Sequence, residues 1–200
     1  DVLKFGSNAA EIAAEHQIGI PVIFGVWLSA MMSMASIVVV SNIRMHRQLR
    51  GGCLITSDIP ELSTTACPPH LQIFSLVSIR TSLLIGLLRP RLYLPDDWSK
   101  WTSEQRRSIL AHELAHYYNR DLWVLGVQTL ALIVFPLNPF IWLLNRKLSH
   151  IREIRCDETA VRSTRISPTE YAKLLCACLE RRSHGIMPVT VGSFFSRNTG

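Results

Sequence analysis

Charge and cysteine are both scarce in this sequence. Of its 200 residues only 18% are Asp, Glu, Lys or Arg, against about 25% in an ordinary soluble domain, while 48% are hydrophobic. That balance excludes a solvated, disordered chain. The five cysteines (Cys53, Cys67, Cys156, Cys176 and Cys178) are odd in number, scattered and without a C-x-x-C pair. They exclude a disulfide-stapled secreted scaffold and read as free thiols of a reducing compartment. Cys53 and Cys67 alone are a weak signal for a metal. Ten glycines and ten prolines carry no collagen-like or linker-like bias, and there are no repeats or low-complexity segments. The net charge is +6, yet no basic stripe is interleaved with aromatics, so direct nucleic-acid binding is not expected.

The missing charge is missing in blocks. Ile18 to Ile43 is a run of 26 residues without Asp, Glu, Lys, Arg or His. As a helix it rises about 39 Å, more than the ~30 Å hydrocarbon core of a bilayer. Residues 18–43 are therefore expected to be a transmembrane helix, with the lipid bilayer as partner. Lys4 stands against Glu11 and Glu15 before it, whereas Arg44, Arg47 and Arg50 follow it. By the positive-inside rule, residues 1–17 form an extracytoplasmic segment and residues 44–200 a domain facing the cytoplasm, its basic residues beside anionic headgroups. Opening on Asp1 rather than Met, the chain reads as an internal piece of a longer protein.

After the spanning helix, residues 51–70 read as loop. Leu71–Ile79 alternates like a strand with one wet face, and Arg91–Leu94 makes a second short strand closed by Pro95. Thr102 and Gln105 stand at capping-box spacing at the head of a helix running to about Asn119. Ser167-Pro-Thr-Glu170 opens another, to about Arg182, with Tyr171, Leu174, Leu175, Cys178 and Leu179 on its apolar face. Residues 183–200 are loop-like.

The helix from Ser103 holds His112-Glu-Leu-Ala-His116, an H-E-x-x-H arrangement. Residues i and i+4 stand one above the other on a helix, so both imidazoles can reach one Zn²⁺ while Glu113 polarises its water. Such a site lacks one protein ligand. The polar stretch 150–162 supplies Glu153 as the third, and Asp157, one turn on, is placed to accept the second N–H of a liganding His or to pair in solvent with Arg152 or Arg155. Asp121, five residues past His116, has a similar claim on that imidazole. Tyr117, Tyr118, His150 and Tyr171 are candidates for stabilising an oxyanion.

L-L-R-P-R-L-Y-L-P (87–95), I-L-A-H-E-L-A-H-Y-Y-N-R-D-L (109–122), F-P-L-N-P-F-I-W (135–142) and R-E-I-R-C-D-E (152–158) follow one another in the order seen in the BlaR/MecR-type membrane metallopeptidases, the antirepressor sensors of β-lactam response systems, and the chain resembles that family over most of residues 20–195. The resemblance implies a gluzincin-like zinc endopeptidase with one Zn²⁺ on His112, His116 and Glu153, and Glu113 as catalytic base. It implies a regulatory protease of the bacterial cytoplasmic membrane, multi-pass at full length, cleaving itself or a transcriptional repressor. Further helices would precede residue 1, and a sensor domain could follow residue 200. Near Thr81-Ser82-Leu83 relatives often carry a Pro that is missing here.

A topological constraint completes the reading. Leu122–Asn145 is a second charge-free run, of 24 residues. A straight crossing would separate Glu153 from His112 and His116 by a bilayer. Pro136, Asn138 and Pro139 interrupt the run, and the first arm of about 14 residues rises only ~21 Å. Residues 122–145 are therefore expected to be a membrane-associated broken hairpin, re-entrant or interfacial, that returns to its starting side. The expected fold is a mainly α membrane protein with a small β element, the transmembrane helix leading into the peptidase domain. The strand at 71–79 is either an edge that pairs with extended substrate or an interior strand. Two other readings compete: a quality-control or prenyl-protein protease of the HtpX type, and a non-catalytic membrane signalling scaffold.

Overall fold

The computed structural model describes residues 2–55, 67–68 and 70–183, with side-chain surroundings from residue 19 to 176. It is mainly helical with one small sheet. Helix α1 (Val2–Gln48) is continuous across the boundary drawn at residue 17. The stretch Gly19–Gly51, which includes the 3-10 turn Leu49–Gly51 after α1, is long and apolar enough to cross a bilayer. Ile20, Ile23, Phe24, Val26 and Met32 stand outward, each more than half exposed. Such a surface belongs against lipid or protein rather than solvent.

Four strands follow: β1 (Cys53–Leu54), β2 (Gln72–Leu76), β3 (Leu83–Ile85) and β4 (Arg91–Pro95). Their order is β1-β2-β4-β3, with β2 and β4 parallel and both outer pairs antiparallel. Two of these strands lay outside the sequence expectation: β1 in a stretch read as loop, and β3. The expected strand at 71–79 is shorter, and it is interior, which removes the edge-pairing role considered for it. Among the described residues the free edges belong to β1 and β3. Residues 56–66 of the expected loop, and 184–200 at the other end, lie outside the described residues.

The sheet is covered on both sides. Alternation along β4 sends Leu92 and Leu94 to one face, where they join Leu71 and Ile73 under Ile109, Leu110 and Leu114 of helix α2 (Ser103–Tyr118). Tyr93 points the other way, stacks on Phe74 at 5.3 Å and meets Met45 and Leu49 at the end of α1. The sheet thus ties the apolar helix to the domain. Between β3 and β4 the chain reverses through Gly86, at φ 103°, where a Cβ would collide with the Arg89 carbonyl.

Thr102 and Gln105 form the expected reciprocal capping box at the head of α2. After Tyr118 the chain turns in two residues, with Arg120 in the left-handed region (φ 56°), and starts helix α3 (Asp121–Val134). The break falls at Phe135–Asn138. Asn138 caps the Phe140 amide, Pro139 takes the first turn, and helix α4 (Pro139–Thr164) returns. Its length absorbs both the second arm of the hairpin and the polar segment 150–162. Gln128 and Asn145 join α3 to α4 by exchanging side-chain amide bonds to each other's carbonyls, and Arg152 donates to Gln128 Oε1 at 3.1 Å. Trp27 of α1 donates to the Val134 carbonyl at 3.1 Å. Outside this stitched seam the hairpin is apolar and exposed at Val127, Leu130, Leu137, Phe140 and Leu143. Helix α5 (Pro168–Ser183) packs Tyr171 and Leu174 into the core; Cys178 and Leu179 of its expected apolar face have no described side-chain surroundings.

Candidate metal centre

The centre lies where α2 crosses α4. Cys156 and Ala160, both fully buried, give α4 a small-residue face that lets it approach α2 closely. Glu153 and Asp157 flank that face by their i,i+4 spacing. His112 Nε2 and His116 Nε2 are 3.2 Å apart, and Glu153 Oε2 lies 3.8 Å from the first and 4.0 Å from the second. A point equidistant from three atoms so spaced sits about 2.1 Å from each, the length of a Zn–N or Zn–O bond.

The far sides of both imidazoles are already engaged. His112 Nδ1 is 3.0 Å from Asp157 Oδ1, which also accepts from the Tyr171 hydroxyl at 2.7 Å. His116 Nδ1 donates to Asp121 Oδ2 at 2.7 Å, and Arg155 holds the other Asp121 oxygen at 3.0 Å. With each Nδ1 proton committed to a carboxylate, the two Nε2 lone pairs face one another beside a carboxylate oxygen. Only a cation or a shared proton satisfies that arrangement, so the residues present fit a zinc ion. Glu153 is half exposed, which leaves one side of the site open, as a catalytic rather than a structural zinc needs.

Asp121 reaches His116 for a reason its spacing does not contain. Five residues along a helix points away from the first side chain. The left-handed turn at Arg120 reverses the chain and brings Asp121 back beneath the imidazole. Asp121 is also grouped with His116 and Cys156 as a second set of donor atoms. That set is the poorer one: burial, with the Asp121 charge adding to it, pushes the Cys156 thiol up to about 12, and Arg155 already neutralises Asp121. Cys53 and Cys67 fall in neither set of candidate ligands among the described residues.

Electrostatics follow the hydrogen bonds. Burial pulls the His112 imidazole down, but the Asp157 hydrogen bond and the charges of Glu113, Asp157 and Glu153 outweigh it and raise it above the ordinary histidine value. Burial acts to raise Asp157, and its bonds to His112 and Tyr171 bring it below the usual carboxylate range instead.

Glu113 is 8% exposed and accepts at Oε1 from the Ser82 hydroxyl at 2.6 Å. Ser82 immediately precedes the edge strand β3. Nothing in its local sequence marked it, and it stands in the segment where the expected Pro is missing. Of the four oxyanion candidates, Tyr171 sits 3.3 Å from His112 Nδ1, behind the imidazole rather than before its Nε2. Tyr117 is engaged by His70 at 2.6 Å, and Tyr118 and His150 are exposed.

This arrangement accompanies a match of residues 7–198 to the family described as BlaR1 peptidase M56. The chain belongs to that family. It is a family of metallopeptidases, which agrees with the zinc-compatible donor set, and the resemblance seen in the four sequence motifs is thereby established. Among characterised relatives, "Regulatory protein BlaR1" of Bacillus licheniformis is 27% identical over 141 residues, 67% of this chain and 23% of that protein. The chain thus matches about a quarter of the relative's length. Together with the exposed apolar length of α1, family membership makes this a membrane-associated protein.

Proposed function

We propose that this chain is the zinc endopeptidase part of a membrane-embedded regulatory protease. The observation that carries the reading is the convergence of His112 Nε2, His116 Nε2 and Glu153 Oε2, with a carboxylate behind each imidazole. Asp157 and Asp121 hold the two rings in the tautomer that leaves Nε2 free for the metal. Zinc bound there supplies Lewis acidity to a water and to the scissile carbonyl. Glu113, fixed through Oε1 by Ser82, keeps Oε2 to take a proton from the water and to deliver it to the leaving amine. The free edge of β3, next to Ser82, suits an extended peptide that pairs main chain to main chain.

The fold would be gluzincin-like. The α3–α4 hairpin lies in or on the cytoplasmic leaflet of the bacterial membrane beside the spanning α1, so that the site faces the cytoplasm. Its substrate is the protein itself or a transcriptional repressor released in response to a signal such as a β-lactam; of this, the name of the Bacillus licheniformis relative supports the regulatory role. Additional helices before residue 1 and a sensor domain after residue 200 complete the full-length protein. A non-catalytic scaffold would not need a base, two ligand histidines, a third ligand and both supporting carboxylates together.

The test is a Glu113→Ala protein purified in detergent. It is expected to retain about one zinc per chain and to lose cleavage of itself or of a repressor by more than 100-fold. Turnover near the parent rate would refute the assignment. A parent protein that takes up no zinc would favour the scaffold.

A further inference from the structure

Beside the metal centre lies an open cleft of about 690 Å³ that shares His116 with it. One side is the β3–β4 turn, carrying Leu87 and Arg89; the other is the α2–α3 corner, carrying Arg120 and Trp123; His70 lies on the floor. Neither Arg89 nor Arg120 has a carboxylate within ion-pair reach among the described residues, and no acidic residue lines the cleft. Gly86 takes a conformation that other residues rarely adopt, and a Cβ added at Gly126 of α3 would just touch the Leu87 side chain. Arg120 stands in the left-handed turn that ends α2, exposed at the corner. Arg91 contributes less, because its guanidinium lies over Phe74 on the sheet, 5.7 Å from the ring centre.

We propose that this cleft is a substrate subsite for an acidic side chain, with Arg89 and Arg120 as the groups that recognise it. The inference rests on the peptidase reading above. A carboxylate entering the cleft meets two cations with no competing anion, and charge-assisted bonds of this kind favour the charged over the isosteric neutral ligand by roughly tenfold or more. The cleft borders the metal ligand itself, so the acidic residue falls within about four positions of the scissile bond, at ~3.3 Å per extended residue. A lipid headgroup would use the same arginines, but it needs no contact with His116.

The experiment measures binding, which does not need turnover. Zinc-supplied Glu113→Ala protein in phosphatidylcholine nanodiscs is titrated with fluorescein-labelled random octapeptide pools in which one position is fixed as Glu, Gln or Lys. At one fixed position the Glu pool is expected to bind at least tenfold more tightly than the Gln pool. In the Arg89→Gln, Arg120→Gln double variant the ratio falls to about one, and Arg120→Glu shifts preference toward the Lys pool, a gain that misfolding cannot produce. A Glu/Gln ratio near one in the starting protein, or one that survives the double variant, overturns the proposal. So does a dependence on the arginines that appears only when phosphatidylglycerol is present, which would assign them to headgroups. If the Glu preference holds but protein with Glu113 intact cleaves no pool, the cleft is an acidic-peptide binding site without the substrate role, and the peptidase reading falls.

Discussion

Replacing Asp121 by Asn is expected to cost more zinc affinity than replacing Asp157 by Asn, although the two carboxylates do the same thing. Each accepts the Nδ1 proton of a ligand histidine, at 2.7 Å for Asp121 and 3.0 Å for Asp157. Their surroundings differ: the Asp121 side chain is 5% exposed and that of Asp157 34%. Losing such a partner lowers metal affinity by roughly 10- to 100-fold, about 1.4 to 2.8 kcal/mol. Water can replace much of what Asp157 provides, which places it near the tenfold end. Water has little access to Asp121, and the other group against His116 Nδ1, the Cys156 sulfur at 3.2 Å, is only a weak acceptor, so the loss of Asp121 belongs near the hundredfold end. Arg155 withdraws part of the Asp121 charge, so Arg155→Gln should strengthen zinc binding slightly rather than weaken it. The assay is competition for zinc between detergent-purified protein and a fluorescent chelator, with circular dichroism of each metal-free variant to separate folding from binding. Equal losses, or a larger one for Asp157, would refute the argument that burial sets the strength of these contacts.

Three other outcomes follow from the same geometry. His112 is raised above its ordinary value in the metal-free protein, so its contribution to stability is fully present below about pH 6.5 and is lost as pH rises through the raised value. Thermal unfolding should show the metal-free protein losing stability from pH 6.5 upward while the zinc-loaded protein gains it, because protons no longer compete for the ligand; parallel curves would contradict this. Ser82→Ala is expected to lower kcat about tenfold with zinc content unchanged, and Ser82→Thr, which keeps the hydroxyl, to recover most of it; equal rates for all three would remove Ser82 from the site. Asn145→Ala removes the side-chain donor to the Gln128 carbonyl while the Gln128 amide keeps its bond to the main-chain carbonyl of residue 145, and should destabilise the hairpin by about 1 kcal/mol, read as a lower Tm and faster proteolysis between α3 and α4.

What the sequence determined by itself is whatever depends on neighbours along the chain. The two histidines and Glu113 follow from helical period, the head of α2 from the Thr102–Gln105 box, the pairing of Glu153 with Asp157 from i,i+4 spacing, and the reversal of the hairpin from Pro136 and Pro139 with the need to hold one metal from one side. Tertiary structure alone decided the remainder. The strands β1 and β3 are two and three residues long, too short for alternation to show, and exist only because β2 and β4 offer them partners. Whether 71–79 is an edge or an interior strand depends on those same pairings, which close between segments far apart in the chain. Ser82 reaches Glu113 across 31 positions. Asp121 reaches His116 because an arginine, a residue type that does not advertise a left-handed turn, adopts one at 120. Local period and capping are written in adjacent residues; which carboxylate supports which imidazole, and which arginine faces the cleft, is settled only when helices and sheet pack.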